Sequence, residues 1–200
     1  TMSSDAAGNA ALYVLQGSTN SIFNSYIYGS TAALVSAATG TVIRASVLVA
    51  TNTSGSALAF SGGSVNLTVT STTLNAPSLG RGLQLDAANN GLMTIGSVTV
   101  TGAANGLRIS TQTGNFALAI DSITFRNLAS GATAIHFLVG SFVSSITLAS
   151  FEDASIGANV VGAPLASTSR VTMKAHYGTR TGPTYENDPN GLVDWTDILP

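Results

Sequence analysis

Apolar and polar positions alternate along the chain in short runs, and the runs return in a fixed order. Leu83-Gln84-Leu85, Leu107-Arg108-Ile109 and Ile135-His136-Phe137 each hold one polar residue between two apolar ones. A period of two is the signature of a strand with one buried face. The pairs Leu12/Val14, Leu34 (with Ser36), Leu58/Phe60 and the lone Val160 extend the series. Leu12, Leu34, Leu58, Leu83, Leu107, Ile135 and Val160 therefore follow one another at a nearly even pace, the mark of a chain built from one repeated unit.

A second phrase keeps the same pace, reading apolar–x–Ser–apolar–x–apolar. It is clearest in Ile95-Gly96-Ser97-Val98-Thr99-Val100, Ile120-Asp121-Ser122-Ile123-Thr124-Phe125 and Val143-Ser144-Ser145-Ile146-Thr147-Leu148. Looser copies put Ser25, Ser46 and Ser71 at the same place. A last copy, Thr168-Ser169-Arg170-Val171-Thr172-Met173, has arginine there. Between opening and phrase lies a third alternating run, as in Val65/Leu67/Val69, Met93/Ile95 and Phe116/Leu118/Ile120. Turns rich in glycine or asparagine separate the runs, such as Asn89-Asn90-Gly91 and Ser61-Gly62-Gly63.

Three short strands per repeat of about 25 residues, with no helical period, predict an all-β chain wound as a right-handed parallel β-helix. The spacing is too long for the roughly 18-residue turn of a left-handed hexapeptide helix. A β-sandwich would space its strands by about 8–12 residues without a repeated phrase. About seven rungs are expected over 1–173, with an irregular C-terminal cap over 174–200. The serine column Ser25, Ser46, Ser71, Ser97, Ser122, Ser145 falls at a short, tight corner. A hydroxyl there can hydrogen-bond backbone that a tight turn leaves unpaired. A cap that covers the last rung removes an exposed strand edge.

The tail carries a resemblance. It reads His176-Tyr177-Gly178, Gly182-Pro183, Asn187-Asp188-Pro189-Asn190-Gly191 and Val193-Asp194-Trp195-Thr196-Asp197-Ile198-Leu199. In order and spacing this resembles the end of bacterial right-handed parallel β-helix repeat proteins of the surface or secreted type. Their pattern has W-W-G at the first place and P-W near the last, where this chain has His-Tyr-Gly and Asp-Ile. The resemblance implies the C-terminal end of a solenoid, and an extracellular or cell-surface location. It also implies one of three roles: adhesin, stalk module or polysaccharide-active enzyme.

Composition narrows the function classes. Only 8% of the 200 residues are charged, against a usual value of about 25%, while 44% are apolar. That apolar content separates the chain from a disordered one. Net charge is −2, so no basic surface for nucleic acid is expected. No apolar run approaches the roughly 20 residues of a membrane helix, and no membrane insertion is expected. The absence of cysteine excludes disulfides and thiol catalysis. Thr1 is not followed by a basic segment and apolar stretch of the signal-peptide kind, and the chain reads as a piece of a longer protein.

Three constellations could carry chemistry. On the outward face of the opening strand, Gln84, Asp86, Arg108 and His136 should meet in one patch about 10 Å across at β-strand spacing. Lyases and hydrolases of the resembling fold use this general face. Their chemistry needs several carboxylates, calcium or a strong base, and this patch has one carboxylate. The second is a solvent-facing column, Thr73, Thr99, Thr124, Thr147 and Thr172, as stacked threonines suit a β surface. The third is Glu186, Asp188, Asn190, Asp194 and Asp197, which fits a calcium-loop template with glutamate in the first place. Pro189 inside that loop and the cap reading of the same residues favour a turn, with calcium the alternative.

The expected function is a non-catalytic structural or adhesive module of a bacterial extracellular or cell-surface protein. It would bind a polysaccharide or a cell-surface protein through a solenoid face, with no resident cofactor. The alternatives are a polysaccharide lyase or hydrolase acting through Asp86, Arg108 and His136, and a trimeric fibre like a phage tailspike.

Overall fold

Apolar pairs that return once per repeat are useful only if each pair stacks on the next, and they do. In the computed structural model, the described residues are 1–200 apart from 5–8, 18, 87–89, 111–115, 139–142, 152–155, 161–169, 177–184, 187–192 and 198–200, with side chains described no further than Ser150. The opening strands form one parallel sheet of eight: Ala10–Leu15, Thr31–Ser36, Ser56–Ser61, Arg81–Asp86, Asn105–Ile109, Thr133–Phe137, Ile156–Val160 and Tyr185–Glu186. Leu12, Ala33, Leu58, Leu83, Leu107, Ile135 and Ala158 share one register position. The rungs along that line are uneven in length, shortest from Leu12 to Ala33 and longest from Leu107 to Ile135.

Two further ladders complete the coil. The middle strands include Val42–Arg44, Val65–Thr70, Asn90–Gly96 and Phe116–Ile120. The closing strands include Tyr26–Gly29, Val47–Ala50, Thr73–Asn75, Val98–Thr101 and Ile123–Arg126. All pairings are parallel, and the described residues contain no helix. The protein is thus a parallel β-solenoid. Five turns hold three separate strands. In the next, the middle and closing strands merge into Val143–Phe151, which pairs with both columns. That merger is why the count of distinct three-stranded rungs is about five rather than seven.

The corner between middle and closing strands is built from one backbone state. Asn24, Ala45, Ser71 and Ser97 all adopt φ of +49 to +53°. A left-handed residue costs roughly 1–2 kcal/mol for most side chains, less for asparagine. Here it keeps the ladder unbroken through the turn. Asn24 N donates to Arg44 O at 3.2 Å, Ala45 N to Thr70 O at 3.1 Å, and Ser71 N to Gly96 O at 2.9 Å. The next residue seals the corner with its hydroxyl. Ser25 Oγ donates to Phe23 O, Ser46 Oγ to Arg44 O, and Thr72 Oγ1 to Thr70 O, at 2.8–2.9 Å.

The serine column is therefore two adjacent columns. Ser71, Ser97 and Ser122 stack, and Ser97 N donates to Ser122 Oγ at 2.9 Å. Ser25 and Ser46 stack instead on Thr72, one place later. Ser145 leaves the corner altogether, pairing with Ala119 in the middle ladder. Thr73, Thr99 and Thr124 do form an outward file, but its next member is Ser150, not Thr147. Thr172 pairs with Ser145. In the opening sheet, Val35 points inward and Leu34 outward, the reverse of the sequence expectation. The ladder from Leu12 reaches Ala33 rather than Leu34, so a uniform count slips by a single place at that rung. Such a slip exchanges the two faces of a strand. Beyond His136 the outward row continues with Asn159.

The inward residues make one continuous apolar core that includes Phe60, Leu85, Ile109 and Phe137 in vertical contact order. Each of four successive opening strands starts with two consecutive inward residues, the first always small: Ala57, Gly82, Gly106 and Ala134 before Leu58, Leu83, Leu107 and Ile135. The closing sheet leaves no space for more. A Cβ on Gly106 would lie 2.4 Å from the Phe125 ring and 2.6 Å from Ala134 O. Gly106→Ala should therefore cost about 1–3 kcal/mol or more in chemical denaturation, as overpacking does. Ala57→Gly, which only empties space, should cost less than Gly106→Ala.

Within the segment 174–200, the described backbone continues the parallel ladders. Tyr185–Glu186 pairs with Ile156–Val160, and Val193–Asp197 with Arg170–His176. His176 lies in that strand by its backbone, while Tyr177, Gly178, Gly182, Pro183 and Ile198 lie outside the described residues. No helix among the described residues is long and apolar enough to cross a membrane.

Candidate functional site

The two-inward start of each opening strand sets the outer face of the coil. It turns the residue before the small one outward, giving a row of Ser56, Arg81, Asn105 and Thr133. The next outward row is Ala59, Gln84, Arg108 and His136. Asp86 follows Gln84 on the same face, paired in register with Ser61. Gln84, Asp86, Arg108 and His136 are thus brought together as expected.

Asp86 is the hub. Its Oδ2 accepts from Gln84 Nε2, and its Oδ1 accepts from Ser110 Oγ at 2.5 Å. Arg108 Nη1 lies 3.8 Å from the same Oδ1, an ion pair about one-third exposed at both ends. At that exposure the pair contributes at most about 1 kcal/mol. Gln84 Oε1 accepts in turn from Ser56 Oγ at 2.5 Å and, at a long 3.4 Å, from Arg81 Nη1. Arg81 Nη1 also reaches Ser54 O at 3.3 Å.

His136 sits at the other end. Its Nδ1 is 2.6 Å from Asn105 Oδ1. An amide oxygen only accepts, so Nδ1 carries the proton and Nε2 holds the lone pair. That Nε2 is buried with no hydrogen-bond partner. Burial holds the imidazole pKa below its usual value, and the nearby Arg108 and Arg81 charges push it lower. Arg81 is itself lowered, first by burial and then by Arg108, with Asp86 opposing.

A groove of 310 Å³ runs along this face toward the N-terminal rungs, from Tyr13 and Leu34 past Ser56 to Arg81, Gln84 and Asp86. Arg81, Asn105, Ser54 and Ser56 belong to this face although the alternation in the sequence does not mark them. Strict alternation would turn Arg81 inward with Leu83. The signal that corrects it is the small residue in between, Gly82, repeated as Ala57, Gly106 and Ala134. A second, larger cleft of 640 Å³ lies toward the N-terminal rungs, where apolar residues such as Leu12, Val14 and Ile22 and polar ones such as Asn20, Ser21 and Ser25 line it.

The calcium candidates Asp188 and Asn190 lie outside the described residues. Glu186, Asp194 and Asp197 are placed only by backbone, opposite Asn159, Thr172 and Ala175. Among the described residues, no three or more of His, Asp and Glu gather as a metal site would require. The chain matches no family model, no curated protein and no solved structure.

The lowered pKa of His136 links this face to pH. Its folded pKa lies below the unfolded value of 6.5, so the unfolded state binds the extra proton first. Stability is untouched well above pH 6.5 and falls as pH drops through 6.5 toward the folded pKa. Thermal melts at about pH 7.5 and about pH 5 should show a larger loss for the parent protein than for His136→Gln. Equal losses would mean that the imidazole does not titrate in this setting.

Proposed function

We propose that this chain is a non-catalytic structural or adhesive module of a bacterial extracellular or cell-surface protein. It presents the polar face of a rigid solenoid to a glycan or protein partner. One observation carries the reading: among the described side chains the face offers a single carboxylate, and that carboxylate is engaged by Gln84, Ser110 and Arg108. Glycoside hydrolysis needs two carboxyl groups in opposed roles. A proton-abstracting mechanism needs a base in reach of substrate, and the buried His136 Nε2 is a poor one. What remains is a fixed array of donors and acceptors with rotamers held by mutual hydrogen bonds, which suits recognition. The uncharged Ser/Thr-rich surface and the tail's resemblance support an extracellular setting.

The test is a glycan array paired with a lyase and hydrolase assay on uronate polymers. Binding without turnover is expected, weakened about tenfold by Arg108→Ala, the usual effect of removing one charged hydrogen-bonding group. Turnover that disappears on Arg108→Ala would replace this reading with the polysaccharide-active one.

A further inference from the structure

The outward row of the opening sheet changes character along its length. Tyr13, Leu34 and Ala59 are apolar, and Gln84, Arg108 and His136 are polar. The 310 Å³ groove spans that change, between a half-exposed Tyr13 ring and the Arg81 guanidinium. The volume is at the lower bound of the roughly 300–1,000 Å³ found for small-molecule sites. Three strand steps separate the rungs of Tyr13 and Arg81, which is about 14 Å. An elongated ligand fits that length better than a compact one.

The walls are amphipathic in a particular way. Ala10 N donates to Tyr13 Oη at 3.1 Å, and the half-exposed Tyr13 ring lines the groove as an apolar surface. Farther along the groove stand Thr31, Ser56, Ser61 and Gln84, groups that both donate and accept. A sugar ring has the matching division, with C–H faces for the aromatic and hydroxyls for the polar rim. Charge adds the second half of the argument. Asp86 is engaged by Gln84, Ser110 and Arg108, and Arg81 makes only long hydrogen bonds to a carbonyl and an amide oxygen. Arg81 is therefore a partly buried cation that feels Asp86 but makes no close ion pair with a carboxylate among the described residues, beside a second cation, Arg108.

We infer that the groove between Tyr13 and Arg81 binds a short anionic saccharide, with one ring on Tyr13 and Leu34 and the acidic group on the Arg81 guanidinium. The inference rests on the proposed function of this face and adds the place and charge of its ligand. A guanidinium offers a planar fork that a carboxylate or sulfate satisfies, and a neutral sugar does not.

The experiment is calorimetry at low salt with four probes: a uronate tetrasaccharide, its methyl ester, a sulfated tetrasaccharide and poly-glutamate. The uronate should bind about tenfold or more tighter than its ester, as expected for one charge-assisted contact. That comparison needs no variant. Arg81→Gln should erase the difference, and Tyr13→Ala should weaken both forms. Thermal melts of both variants should match the parent. Sulfated binding equal to uronate binding supports a general anion site, and uronate binding alone supports a carboxylate site. Equal affinity for acid and ester, a preference that survives Arg81→Gln, or poly-glutamate binding as tightly as uronate would overturn the inference. Neutral-glycan or protein binding that depends on Arg108 but not on Arg81 would do the same, while leaving the proposed function standing. Failure of every glycan and protein partner would end both.

Discussion

Each turn of this chain exists because the turn above and the turn below supply its hydrogen bonds. Parallel ladders at about 4.8 Å leave no freedom in how one rung sits on the next. The corner must therefore reproduce itself. It does so through a left-handed residue at Asn24, Ala45, Ser71 and Ser97, each stacked on the last. The unfavourable φ, about 1 kcal/mol or more per non-glycine residue, is offset by the ladder hydrogen bond it preserves and by the hydroxyl that follows. Val98 carries no such hydroxyl, and at that corner Ser97 N donates to Ser122 Oγ of the next rung.

A fixed corner fixes the inside, and the inside fixes the outside. The close approach of the closing sheet at Gly82 and Gly106 forces two inward residues in succession. That doubling turns Arg81 and Asn105 outward, into reach of Gln84 and His136. The polar face is thus a consequence of core packing as much as of the residues that compose it. Among the described side chains it sets one carboxylate, Asp86, against two guanidinium groups, Arg81 and Arg108, in a chain whose net charge is −2.

Much of the architecture is legible in the sequence because period-two alternation and a repeat of nearly constant length are both direct outcomes of strand stacking. The stacking of Ser71, Ser97 and Ser122 follows from the repeated phrase, as does the meeting of Gln84, Asp86, Arg108 and His136. What escapes is register at single residues. Leu34 and Val35 are both apolar, so hydrophobicity does not choose between them, and only the ladder from Ala33 to Leu58 does. Ser145 sits in a sound copy of the phrase, yet Val143–Phe151 passes from the middle to the closing ladder only between Ile146 and Ala149, beyond that serine. Arg81 is hidden by alternation at a place where crowding suspends it.

Because the chain has no cysteine, vertical register can be read directly by introducing two. Thr73 and Thr99 are register partners on the outer face of adjacent rungs, within the Cα separation a disulfide or a short thiol cross-linker requires. Thr73→Cys combined with Thr99→Cys should cross-link readily on mild oxidation. Thr73→Cys combined with Thr101→Cys, out of register and at about 8 Å, should stay reduced. A matched pair that resists cross-linking, or an offset pair that forms as fast, would contradict the stacked coil.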